Sequence, residues 1–185
     1  MITIISFKYP CMKEIAVYVG RLNPIHLWHE AVINAMLQKY GVDCLLVLWS
    51  ANHEQSLRHF FSYEERKMLV RKLYPHIKIV PLPDFGNDKE RLSALDDLID
   101  NTFHTYTEKR VLFFWGCKED LSFFENDGRN IEVMNRFDGT TPLVSATEVR
   151  DTLITWRSLN GLVNTTLESD ILDLFWHKWE MFKKK

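Results

Sequence analysis

The sequence predicts an α/β protein, a doubly wound parallel sheet with a helical C-terminal part, and three observations carry that prediction. Short apolar runs rich in β-branched and aromatic residues recur at 15–19, 44–49, 77–80, 111–115 and 131–134. They are continuous rather than alternating, as strands covered on both faces are. Amphipathic patterns of helical period separate the runs. Strands that alternate with helices build β-α-β units and hence a parallel, Rossmann-like sheet. Ligands bind such a sheet beyond the carboxyl ends of its strands, where the strand order reverses.

Each element follows from its residues. The run 15–19 is a short buried strand, and Gly20-Arg21-Leu22-Asn23-Pro24 after it is a tight turn. His29, Val32, Ile33, Met36, Leu37 and Tyr40 then keep the i, i+3, i+4 spacing of a helix that Gly41 ends. Strand 44–49 ends at Ser50. A helix over about 63–73 follows, with Ser62 and Glu65 placed as a capping box and Pro75 as its stop. After strand 77–80, a helix over about 90–104 carries Leu92, Leu95, Leu98, Ile99 and Phe103 on one side. Strand 111–115 ends at Gly116, so Gly20, Ser50 and Gly116 share one edge of the sheet. The stripe Ile171, Leu172, Leu174, Phe175, Trp179 and Phe182 reads as core packing of a last helix, whose end Lys183-Lys184-Lys185 suits. The expectation is one domain over 1–185, with 1–11 as an extra arm and about 158–185 as a helical subregion.

Composition narrows the class. Apolar residues at 46% and charged residues at 26% are those of an ordinary globular chain. A net charge of −2 offers no basic surface for nucleic acid or an anionic membrane, so neither is expected as a partner. No run approaches the roughly 18 apolar residues of a membrane span. Cys11, Cys44 and Cys117 are odd in number and scattered, which argues against a disulfide framework and for a cytoplasmic location.

Two segments carry chemistry. His26 and His29 stand at the first turn of a helix, where unpaired N–H groups and the helix dipole attract anions. Three residues apart, the imidazoles share a helical face and add donors at that point. Zinc is the rival for such a pair, but no C-x-x-C accompanies it, so no metal ligands are assigned. About 115 residues downstream, Ser145 or Thr147 can cap a helix whose free amides take an anion, and Arg150 is one turn further on. Either segment alone is more often a capped helix with surface charges. Both in one chain point to a polyphosphate.

The stretch Gly20-Arg21-Leu22-Asn23-Pro24-Ile25-His26-Leu27-Trp28-His29 resembles the G-x-(F/L)-(Q/N)-P-x-H-x-G-H signature of the nucleotidyltransferase superfamily, and 144–150 resembles its (I/V)-S-x-T-x-(I/V)-R element. The segment 49–66 is similar to the G-S-A-N-x-x-x-(T/S)-x-R-N-P-F-(T/S)-x-x-E-R block of nicotinamide mononucleotide adenylyltransferases. The relatives it points to are the archaeal type and the transferase half of the bifunctional adenylyltransferase/Nudix hydrolases. Residues 116–124 resemble the G-x-x-K-D-x-S-x-(Y/F) segment of the bifunctional branch, and 81–88 resembles P-x-x-D-x-x-N-D. There are departures. Trp28 stands at a Gly position, His59-Phe60 replaces Asn-Pro, and Arg91 holds the place of a Trp that would stack on nicotinamide.

The resemblance implies transfer of AMP from ATP to nicotinamide mononucleotide by direct in-line attack, giving NAD and pyrophosphate. His26, His29 and Arg150 would be catalytic. Gly20, Arg21, Asn23, Ser145, Thr147, Gly116, Lys118 and Asp120 would hold ATP, and Ser50, Asn52, Arg58, Asp84, Asn87 and Asp88 the acceptor. Mg²⁺ would arrive with ATP, and a homo-oligomer is implied. No Nudix signature is present, so a stand-alone transferase is expected. The other readings are a different phosphate acceptor, such as nicotinic acid mononucleotide, and a non-catalytic nucleotide sensor.

Overall fold

The computed structural model describes residues 12–115, 128–134 and 137–182. In chain order these form β1 (Lys13–Gly20), α1 (Leu27–Tyr40), β2 (Cys44–Trp49), α2 (Tyr63–Leu73), β3 (Lys78–Leu82), α3 (Asp88–Thr102), β4 (Lys109–Trp115), β5 (Asn130–Val133), α4 (Ala146–Ile154) and α5 (Thr165–Phe182). The strands form one sheet in the order β3-β2-β1-β4-β5, and every neighbouring pair is parallel. The order reverses between β1 and β4, so the switch point lies at the end of β1, where the first motif begins.

The continuous apolar runs supply two cores at once. Side chains alternate across a strand, and here Ala16, Tyr18, Leu46, Leu48 and Phe114 join one buried cluster while Ile15, Val17, Leu45, Val47 and Phe113 join another. The first cluster takes in Val32, Ile33 and Met36 of α1, Leu69 and Val70 of α2, Val149 and Leu153 of α4, and Leu167, Ile171 and Phe175 of α5. The second is closed by Leu95 and Ile99 of α3 with Phe103. Helices thus cover both faces. The described part of the α5 stripe is core packing: Ile171 and Phe175 are fully buried, and Phe175 stacks on Phe60 with centroids 4.8 Å apart.

Several boundaries differ by one or two residues from the sequence expectation, and two of them have a clear physical cause. Strand β3 runs on through Pro81, which pairs with Leu48, and Leu82, which pairs with Trp49. Proline lacks the N–H a central strand needs, but β3 is an edge strand, where the missing donor faces no partner. Helix α3 begins at Asp88 rather than near residue 90, because Asn87 caps it by accepting the Glu90 N–H at 2.9 Å. Cys44 is a buried free thiol, and burial pushes its pKa up to about 11. Cys11, Cys117, the arm 1–11 and the terminal lysines lie outside the described residues. Among the described residues, no helix is long and apolar enough to cross a membrane.

Candidate active site

Gly20 ends β1 at a place where a side chain does not fit. A Cβ there would lie 2.7 Å from the Leu22 Cδ1 and 3.1 Å from the Tyr18 ring. The chain then turns through Leu22, held at φ 47°, into α1. His26 is the N-cap residue in extended conformation, and its backbone N–H donates to the His29 Nδ1 at 3.3 Å. That bond makes Nδ1 an acceptor, so the neutral His29 ring carries its proton on Nε2 as a donor. The two rings lie 3.7 Å apart between centroids, tilted by 32°. Trp28, at the position where the signature has Gly, is only 4% exposed. Its indole packs edge-on against Tyr18 and His29, on the core side of the helix start.

The second motif meets the first across 127 residues. Ser145 caps α4 by accepting the Glu148 N–H at 3.1 Å, which leaves Thr147 to accept from the Arg150 Nη2 at 3.0 Å. Arg150 Nη1 then donates to the Asn23 carbonyl at 2.8 Å. One guanidinium therefore ties the α4 N-terminus to the turn that leads into His26. Burial pulls the Arg150 pKa below its ordinary value; the neighbouring Arg58 and Arg21 charges add to this, and Asp151 opposes it. Arg21 and Arg58 thus repel Arg150, and an anion beside Arg150 would relieve that repulsion. A cavity of about 440 Å³, lined by Ser145, Thr147, Glu148, Asp151 and Arg157 among others, opens beside the α4 N-terminus.

Asn23 has a second task. Its amide exchanges two hydrogen bonds with the Phe61 backbone, at 3.0 and 3.1 Å, and the residue is 3% exposed. The side chain expected at ATP thus holds the 49–66 segment against the first motif.

Of the residues expected at the acceptor, Ser50, Asn52 and Asp84 gather at the ends of β2 and β3, Asn87 and Asp88 start α3, and Arg58 lies in the loop beside His59. Ser50, at φ 55°, donates through Oγ to Asp84 Oδ1 at 3.1 Å, and Asn52 Oδ1 accepts the Asp84 N–H at 2.7 Å. Asp88 pairs with Arg91 at 2.9 Å on the first turn of α3. Nearby, His53 and His59 face each other with ring centroids 3.8 Å apart. Burial, with the His53, Arg21 and Arg58 charges, lowers the His59 pKa to about 4 and keeps that ring neutral at physiological pH. Gly116, Lys118 and Asp120 lie outside the described residues.

Three residues that the sequence does not single out organise this edge. Arg66 is 2% exposed, and its guanidinium donates to four carbonyls: Arg21, Trp49 at 2.8 Å, Ser50 at 3.1 Å and Ser62 at 3.3 Å. It binds the ends of β1 and β2 to α2. Its only trace in the sequence is its place in the E-R pair that ends the 49–66 block. Trp49 holds the first Gly position of that block. Lys178, from α5, is the third. It is 6% exposed and pairs with Glu65, which also accepts from the Ser62 N–H at 2.8 Å and from Gln55 at 3.2 Å. No local signal marks this bridge, because its partners are 113 residues apart.

The Glu65 bridge sets a pH dependence. Burial pushes the Glu65 pKa up, but the hydrogen bonds from Lys178 and Ser62 outweigh that and hold it below its ordinary 4.5. A carboxylate so lowered stabilises the fold above 4.5, and the contribution is lost as pH falls through the folded pKa. Glu65→Gln is therefore expected to melt below wild type at pH 7, with the gap closing in acid. Thermal melts across pH check this, and a gap that does not depend on pH would exclude the charge as its source.

Two helix starts, at His26 and Ser145, and the arginines beside them lie over the carboxyl edge of a parallel sheet, where α/β proteins take their ligands. The chain belongs to the cytidylyltransferase-like family, whose model matches residues 17–152. It is 40% identical over 75 residues to a phosphopantetheine adenylyltransferase of Bdellovibrio bacteriovorus, covering 40% of this chain and 44% of that protein. It is 22% identical over 184 residues to a probable nicotinate-nucleotide adenylyltransferase of Fusobacterium nucleatum, covering 82% and 93%. A bifunctional NMN adenylyltransferase/ADP ribose pyrophosphatase of Francisella tularensis shares the fold, with a TM-score of 0.71 and 17% identity over 89% of this chain and 52% of that one. The chain thus spans about half or less of two of these three proteins.

Proposed function

We propose that this chain transfers AMP from ATP to the phosphate of a pyridine mononucleotide, releasing pyrophosphate; nicotinamide mononucleotide, giving NAD, is the acceptor implied by the 49–66 block. The observation that carries the reading is the Arg150–Asn23 hydrogen bond, which joins the two polyphosphate motifs into one site. Relatives named for nicotinate-nucleotide and NMN adenylyl transfer support the acceptor class.

A phosphate oxygen of the acceptor forms a bond to the α-phosphorus of ATP. The bond from that phosphorus to the α–β bridging oxygen breaks, and pyrophosphate leaves with the electron pair. The acceptor phosphate is already ionised at neutral pH, so no general base is needed, and catalysis reduces to positioning and charge neutralisation. His26 and His29 hold the α-phosphate and the bridging oxygen. Arg150, with the amides near Ser145 and Thr147, takes up the charge that grows on pyrophosphate. Arg21 adds to the charge neutralisation at ATP, and Arg58 holds the incoming acceptor phosphate. Among the described residues no three His, Cys, Asp or Glu side chains gather to hold a metal. An arginine-rich donor set suits a Mg²⁺ carried in on the triphosphate, where it would neutralise phosphate charge.

The test is dinucleotide formation from Mg²⁺-ATP with nicotinamide mononucleotide, with nicotinic acid mononucleotide, with phosphopantetheine and with no acceptor, following pyrophosphate release. A dinucleotide from either pyridine acceptor is the expected result. Product only from phosphopantetheine, or ATP binding without product, would overturn the reading.

A further inference from the structure

Trp49 ends β2 half-buried, and two guanidiniums lie against its ring: the Arg21 Cζ is 5.1 Å and the Arg91 Cζ 4.8 Å from the centroid. The indole, next along the chain from Ser50, thus links Arg21, in the turn that leads to His26, with Arg91 on the first turn of α3. The two Cζ atoms are no more than about 10 Å apart, a span that one mononucleotide can bridge from its phosphate to its ring. Arg91 is fixed before any ligand arrives. It is stacked on Trp49, its side chain is 16% exposed, and Asp88 holds its Nη1 at 2.9 Å. Asp88 itself is 66% exposed, and such a pair contributes little net energy, so an incoming anion can compete for the fork.

We propose that Arg91, seated on Trp49, sets the specificity for the acceptor, favouring a pyridine ring that bears a carboxylate over one that bears an amide: nicotinic acid mononucleotide over nicotinamide mononucleotide. The proposal rests on the pyridine-mononucleotide reading above and reverses the acceptor preference that the 49–66 block implies. Its physical basis is charge. The ring nitrogen of either acceptor is quaternary and positive. With an amide substituent the ring remains a cation, which a guanidinium repels. With a carboxylate it becomes a zwitterion, whose carboxylate a planar, pre-oriented guanidinium can bind through two parallel N–H donors. The aromatic face at this corner belongs to Trp49 and is occupied by guanidiniums, so Arg91 contributes charge where an indole would contribute only stacking.

The test compares kcat/KM for the two acceptors at saturating Mg²⁺-ATP in wild type, Arg91→Gln and Asp88→Asn. Wild type is expected to favour the nicotinate acceptor by about 10-fold to 100-fold, the worth of one charge-assisted pair. Arg91→Gln should bring the ratio close to one, mainly by raising KM for that acceptor, with KM for ATP unchanged. Asp88→Asn, which frees the fork, should raise the ratio. If Arg91→Gln does not fold, Arg91→Lys keeps the charge without the fork and should lower the ratio part of the way. A wild type that favours the amide, or a ratio that Arg91→Gln leaves unchanged, overturns the assignment of Arg91 while the transferase reading stands. No dinucleotide from either acceptor overturns both.

Discussion

Replacing His29 with Ala is expected to lower the rate of AMP transfer by about 10²–10³-fold, and to lower stability by only ~1 kcal/mol. The rate loss follows from the tautomer. His29 Nδ1 accepts the His26 N–H, which leaves Nε2–H as the donor that, on the proposed reading, would meet the charge developing on the α-phosphate. The stability loss is that of one capping bond at the start of α1. His29→Asn separates the two roles. Its amide oxygen can still accept the His26 N–H, but the shorter side chain has no group at the Nε2 position. Pyrophosphate release in the steady state, with thermal melts, is the measurement. The expected outcome is an Asn variant that melts near wild type yet turns over as slowly as the Ala variant. If Asn restores turnover as well, His29 shapes the helix start and the role at the α-phosphate is withdrawn.

Arg66→Met is expected to cause the largest loss of stability, about 3–5 kcal/mol, and a fall in Tm of roughly 6–20 °C. The guanidinium lies almost wholly inside the protein and serves four carbonyls from three segments. Burial lowers its pKa to about 10, so it remains charged at neutral pH. Methionine fills much of the volume but leaves the Arg21, Trp49 and Ser50 carbonyls without that donor. Arg66→Lys should be intermediate, because one ammonium cannot serve acceptors spread around a planar fork. Activity should fall along with stability, since Arg21 and Ser50 are positioned through these carbonyls. Chemical denaturation is the check, and a loss below ~1 kcal/mol would mean that water replaces the guanidinium.

Much of the fold was legible because it is written in short-range terms. Strand β2 and helix α2 have the bounds that the sequence predicts, since an apolar run, a capping box at Ser62 and Glu65, and a proline after Tyr74 act within a few residues of one another. Strand β3 runs on through Pro81, which a strand tolerates at an edge, and which strand lies at the edge is decided by sheet order. Arg66 has the look of an ordinary surface arginine in a charged helix. Its burial depends on carbonyls contributed by residues 21, 49 and 50. The bonds from the Asn23 amide to the Phe61 backbone span 38 residues, so no local pattern marks them.

The sequence by itself determined the parallel α/β class and the helix starts that carry His26, His29 and Ser145. Caps, periodicity and residue chemistry are local, and their energies do not depend on where the rest of the chain lies. Only the tertiary structure decided that Arg150 reaches the Asn23 carbonyl, that Glu65 meets Lys178, and that Trp49 lies against Arg21 and Arg91. Each of these joins segments that are distant in the chain. Such contacts form only once the sheet has set its strand order and brought its carboxyl ends to one edge.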